Sequence, residues 1–238
     1  MQINQHILKN KLKTLFINAE GSTSCSVQIW FRAGSSLEKK EDEGIAHFLE
    51  HMFFKGTPKR PGAKIAKEVE GFGGEINAFT SFDYTCYYIN SPITHLEDTI
   101  DILLDMVANP LFTKEDLIPE REVVFEEYRR SLDNPSQFAF RELQHSCFAG
   151  GYHHQILGTE KTIKKFSRTQ LINFRKKHYN LSNAMFVVAK NISDVKIITP
   201  TPICKLYLFL TYSKLISYTE YMFYIIKTGE RNYVGIAA

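Results

Sequence analysis

The chain has 238 residues, of which 44% are hydrophobic and 23% charged, with a net charge of +3 and a mass of 27.5 kDa. Those proportions are those of an ordinary soluble globular chain and exclude wholesale disorder, collagen-like repeats and a polytopic membrane protein. Lys and Arg are spread among nearly as many acids, so no basic patch points to nucleic acid.

The stretch Met1–Asn10 is polar and lacks the apolar core of a signal peptide. Cys25, Cys86, Cys147 and Cys204 lie far apart without a Cys-x-x-Cys pair, which fits neither a thiolate zinc site nor a dense disulfide framework. A reducing, cytoplasmic setting is therefore the expectation.

In chain order, strands are expected at 6–8, 13–17 and 26–32. The acidic stretch 38–43 leads into a helix over 44–55, stopped by Gly56-Thr57-Pro58, and a second helix over 63–71 ends at Gly73-Gly74. Residues 75–90 read as a hairpin turning at 81–83. Helical patterns then cover 93–108, 114–132, 135–148 and 167–178, and a strand follows at 184–190. Strands in pairs and helices in runs predict an α+β fold with an antiparallel sheet packed against helices. From Thr199 to Tyr233 the chain holds six of its twelve tyrosines with many Leu and Ile. Lys214 and Glu220 interrupt the apolar run, so strands or a loosely packed extension fit better than a membrane span.

The chemistry concentrates in His47-Phe48-Leu49-Glu50-His51. On a helix these spacings put two imidazoles and one carboxylate on one face. Two histidines one turn apart can take two corners of a tetrahedral zinc site, and a carboxylate beside them can accept a proton from water. The bland alternative is a polar helix face with two unrelated histidines, but about 0.03 matches to His-x-x-acid-His arise by chance in such a composition. A catalytic zinc needs a third protein ligand. The helix near 114–132 offers Glu115, Glu120, Glu122, Glu126 and Glu127. Glu120 and Glu127 project within about 20° of each other, with Val123 and Val124 flanking them, whereas Glu126 points about 100° away into solvent. Two acids on an apolar face need a cation or hydrogen bonds. A metal supplies that, and so would a salt bridge to Arg121 or Arg130.

The stretch Gly44-Ile-Ala-His-Phe-Leu-Glu-His-Met-Phe-Phe-Lys-Gly-Thr57 resembles the pitrilysin/insulinase family, the inverted zincins that include mitochondrial processing peptidase. Glu120-Arg-Glu-Val-Val-Phe-Glu-Glu127 is similar to the helix carrying that family's third ligand, and Glu127 lies 76 residues beyond His51, as the family pattern has it. The resemblance implies zinc held by His47, His51 and Glu127, Glu50 as general base, and Glu120 as a supporting acid. Gly74-Glu-Ile-Asn-Ala-Phe-Thr-Ser81 resembles the family's peptide-binding edge strand, which implies substrate contacts at Asn77, Ala78 and Phe79. Leu157–Ile163 and Asn183–Ala189 also resemble family segments, and the likeness covers residues 5–192, leaving 193–238 as a divergent tail.

By that resemblance the chain corresponds to one catalytic half of a clam-shell zinc metalloendopeptidase. It would cleave unfolded peptides through a zinc-activated water, with a second-half subunit or a second copy as partner and with neither nucleic acid nor membrane. The rival reading is a non-catalytic, peptide-binding subunit of a two-subunit enzyme. A structural zinc domain fits less well, because such sites fill four positions and only three ligands are offered here. His153-His154 reads as a solvated loop, and Gly71-Phe-Gly-Gly74 as a helix stop rather than a phosphate loop.

Overall fold

The computed structural model describes residues 3–8, 10–191, 222–228 and 231–237. A six-stranded sheet is built from β1 (Ile3–Ile7), β2 (Lys13–Asn18), β3 (Ser24–Phe31), β4 (Glu75–Thr80), β5 (Thr85–Pro92) and β6 (Ala184–Lys190) in the spatial order β1-β2-β6-β3-β5-β4. The expected α+β architecture is observed. All neighbours run antiparallel except β2 and β6, which pair in parallel with Lys13 opposite Met185. That pairing joins strands from the two ends of the described domain, and no local pattern in either strand announces it. β1 and β3 each start earlier than predicted.

Helices α1 (Ile45–Phe53), α2 (Lys64–Gly71), α3 (Leu96–Ala108), α4 (Lys114–Asp133), α5 (Pro135–Cys147), the short α6 (Glu160–Ile163) and α7 (Arg168–His178) complete the domain. Among the described residues, no helix is long and apolar enough to cross a membrane. In the tail, backbone pairing joins β7 (Met222–Thr228) to β8 (Arg231–Ala237), and the rest of the predicted extension falls outside the described residues.

α1 is the axis of the core. Ile45, Phe48, Leu49, Met52 and Phe53 are all fully or almost fully buried, packed among residues of the sheet, α3, α4 and α7. At about 1.5–3 kcal/mol for each large apolar side chain, this burial carries the polar members of the helix, His47 and Glu50, into the interior with it. The start of α1 needs a glycine. Gly44 sits at φ +89°, and a Cβ there would come within 2.5 Å of Gly158 Cα in the loop that crosses it.

The orphan N–H groups of this helix start are met by Glu38, whose carboxylate accepts from the Gly44 amide at 2.7 Å and from the Ala46 amide at 2.9 Å. Burial pushes the Glu38 carboxyl up to about 8, against the pull of these two donors, and Glu43 and Asp42 add repulsion. An acid raised in the fold binds its proton more tightly folded than unfolded. Its contribution therefore makes stability fall as pH rises between about 4.5 and 8. Glu38→Gln should flatten that part of the profile by an amount on the order of a few kcal/mol. Urea unfolding of the metal-free protein at pH 5 and pH 8 measures it, and parallel profiles in parent and variant would remove Glu38 as the source.

Candidate active site

α1 packs against α4 and against the edge strand β4, so three elements meet at His47, Glu50 and His51. α4 is set by its N-cap, Thr113, whose hydroxyl accepts from the Asp116 amide at 3.0 Å. One face of α4 then presents Glu120 and Glu127 to α1, as the seven-residue spacing predicted.

His47 Nε2 lies 3.6 Å from Glu127 Oε2, and His51 Nε2 lies 3.4 Å from the same oxygen. The three residues offer ligand atoms that all fall within 4.8 Å of one another, the one such cluster among the described residues. Two ligands of one tetrahedral zinc, each bonded at about 2.0–2.1 Å, stand about 3.4 Å apart. The donor set of two imidazole nitrogens and one carboxylate oxygen therefore fits a zinc ion in both chemistry and spacing.

The two histidines differ in charge without a metal, and zinc would have to displace a proton from His51. Burial, reinforced by neighbouring His51, lowers His47 to about 4, so its imidazole is neutral near pH 7 with Nε2 facing Glu127. For His51 burial works in the same direction, but hydrogen bonds to Glu120 and Glu127 outweigh it and raise the group to about 9. The His51 hydrogen bond pulls Glu127 below the usual carboxylate range, although its burial opposes this.

Glu120 and Glu127 differ more than their shared direction on the helix suggested. The Glu120 side chain is 5% exposed and that of Glu127 is 46% exposed. Of the two valines expected to flank them on an apolar face, Val124 is fully buried as predicted, whereas Val123 is 51% exposed. Glu120 Oε1 is 2.8 Å from His51 Nδ1, and its other oxygen pairs with Lys55. These two partners keep Glu120 ionised despite its burial. A carboxylate on Nδ1 fixes the ring so that Nε2 is the free ligand atom. The alternative salt bridges do not form: Arg121 donates to the Phe166 carbonyl, and neither acid is within ion-pair distance of Arg130. Glu126 pairs with Arg129 on the solvent side.

Glu50 is buried beside this cluster, and its carboxylate accepts a hydrogen bond from the Thr80 hydroxyl at 2.5 Å. Burial raises Glu50 above the ordinary carboxylate value, while the Thr80 donor pulls the other way. Thr80 ends β4, whose one strand partner among the described residues is β5, so the other edge of β4 is open beside Glu50. Asn77, Ala78 and Phe79 lie on that strand. Asn77 is exposed with its Oδ1 accepting from the Ala78 amide, and Phe79 packs edge-on against Trp30. His153 stands against His145 rather than at the cluster.

Sequence reasoning missed Lys55, Thr80 and Glu38. Lys55 could have been found, because it lies four residues beyond His51, just past the end of α1, within the helix predicted over 44–55. Thr80 meets Glu50, and Glu38 the start of α1, through contacts that carry no local signal.

A family profile described as Insulinase (Peptidase family M16) matches residues 13–160. The chain is 35% identical over 193 residues to an uncharacterized zinc protease of Rickettsia felis, covering 81% of this chain and 47% of that protein. It is also 35% identical over 195 residues to the uncharacterized zinc protease YmxG of Bacillus subtilis, with the same coverage of 81% and 47%. The solved structure of a protease from Helicobacter pylori superposes with a TM-score of 0.78 at 25% identity, covering 92% of this chain and 52% of that one. The chain thus spans about half the length of these relatives. With the family profile spanning more than half of the chain and relatives at this identity, the protein belongs to the insulinase family of peptidases, family M16.

Proposed function

We propose that the chain is the catalytic half of a zinc-dependent endopeptidase acting on unfolded peptides. The observation that carries this reading is the meeting of His47, His51 and Glu127 at ligand spacing with the buried carboxylate of Glu50, next to an open strand edge. Zinc in such a site supplies Lewis-acid polarisation of the scissile carbonyl and acidifies water. The protein's own residues do the rest. His47 and His51 offer Nε2, and Glu127 offers a carboxylate oxygen. Glu120 orients His51 through Nδ1, and Lys55 holds Glu120 in its charged form.

Glu50 is the general base. Its carboxylate takes a proton from the attacking water as oxygen adds to the carbonyl carbon, and then delivers it to the amine nitrogen as the C–N bond breaks. Its raised affinity for protons suits a group that must first accept and then donate. The outer edge of β4 pairs with the peptide backbone, with Asn77, Ala78 and Phe79 along it, which holds extended segments with little dependence on their side chains. A second-half subunit, or a second copy of this chain, covers the open side. Two features support this: the half-length match to the relatives, and the exposed Ile118 and Val123 on the helix that carries Glu127.

The test is hydrolysis of a quenched, unstructured peptide by the protein as purified, stripped with a chelator, and reloaded with zinc. Hydrolysis should vanish on stripping and return with one zinc per chain. Hydrolysis that persists in the stripped protein, or a chain that binds no zinc, would overturn the reading.

A further inference from the structure

A cavity of about 420 Å³ opens where the end of α4 meets α5, lined by Phe82, Ser131, Gln137, Phe140, Arg141 and Gln155 among others. Two elements tie it to the site. Ser131 lies one turn beyond Glu127 on α4, and Phe82 lies two residues past Thr80, the partner of Glu50. Its volume is that of a site for one or two side chains of a ligand rather than a packing defect.

Arg141 on α5 gives this cavity its chemistry. Its side chain is only 17% exposed, and Nε and Nη1 are both buried without a hydrogen-bond partner. Glu142 Oε1 stands 3.5 Å from Nε, too far for a hydrogen bond there, and the guanidinium lies 4.9 Å from the Phe138 ring centre. None of the residues lining the cavity is an acid. Glu142 thus gives the guanidinium a long ion pair, but its buried Nε and Nη1 donors remain without a hydrogen bond, which is costly unless something else completes the set. Its planar fork matches a carboxylate with two parallel hydrogen bonds.

We propose that this cavity is a substrate subsite that takes a carboxylate of the bound peptide, with Arg141 as the residue that sets the preference. This deepens the peptidase reading and rests on it. The carboxylate can come from an Asp or Glu side chain or from the end of the peptide chain. The apolar surface of Phe82 and Phe140 would lie against the stem of the same residue or its neighbour.

Binding tests this apart from hydrolysis. Zinc-loaded protein carrying Glu50→Gln is titrated, by fluorescence anisotropy, with labelled unstructured peptides. One contains Asp and has an amidated C-terminus, one is its Asn counterpart, and one is the Asn counterpart with a free C-terminal carboxylate. At least one carboxylate peptide should bind about tenfold more tightly than the amidated Asn peptide, and which one does so identifies the source. Adding Arg141→Gln should bring that ratio to about one, Arg141→Lys should keep part of it, and Arg141→Glu should shift preference to a Lys peptide. A ratio of one in the parent, a ratio that survives Arg141→Gln, or no binding of any peptide would overturn the proposal. The proposed function is judged separately, by zinc-dependent hydrolysis.

Discussion

Glu50→Gln should leave zinc content and fold intact and lower kcat for a quenched peptide by about 10²–10⁴-fold, the range general-base catalysis supplies. The amide keeps the shape of the side chain and an oxygen that can still accept from the Thr80 hydroxyl. It removes only the group able to take and return a proton. Stability makes the result interpretable. Burial penalises the charged form of Glu50, and Glu127 adds repulsion, so a neutral amide at this position relieves a cost that the carboxylate bears near pH 7. The variant should therefore unfold at the same temperature as the parent or a higher one. A kcat within a few-fold of the parent, with zinc bound, would remove Glu50 as the base. A loss of zinc alongside activity would instead mean that the carboxylate shapes the metal cluster.

Much of this site was legible before any coordinates, and the reason is periodicity. His47, Glu50 and His51 fall within one stretch of helix, so the 3.6-residue repeat alone brings them to one face. The same repeat aligned Glu120 with Glu127 seventy residues later, although it could not show that α4 packs against α1. The strand pairing of β2 with β6 was invisible because both strands read as ordinary apolar runs, and nothing in either specifies a partner more than 150 residues away. Burial was legible only in part. The two glutamates share a direction, yet Glu120 sits beneath α1 with Lys55 and His51, while Glu127 stands at the rim, a difference set by tertiary packing rather than by phase. The same limit hid Arg141, whose cavity is formed by segments far apart in the chain.

The different surroundings of these glutamates separate their expected effects on the metal. Glu127→Gln and His51→Ala each remove an atom from the cluster within 4.8 Å, and zinc content should fall well below one per chain. Glu120→Gln removes no atom from that cluster. It replaces the charged acceptor on His51 Nδ1 with a neutral one and leaves Lys55 without its carboxylate. Losing such an outer partner costs about 10–100-fold in metal affinity, so this protein should still fill with zinc at high concentration while binding it more weakly than the parent. Competition with a chromophoric chelator resolves the order: parent tightest, Glu120→Gln intermediate, His51→Ala and Glu127→Gln weakest. Unfolding of each metal-free variant separates lost affinity from lost fold, because the ligand changes act on a partly exposed rim and Glu120→Gln on a buried pair. Zinc retained in full by His51→Ala would remove the ligand assignment. A Glu120→Gln protein as weak as the ligand variants would place Glu120 on the metal itself.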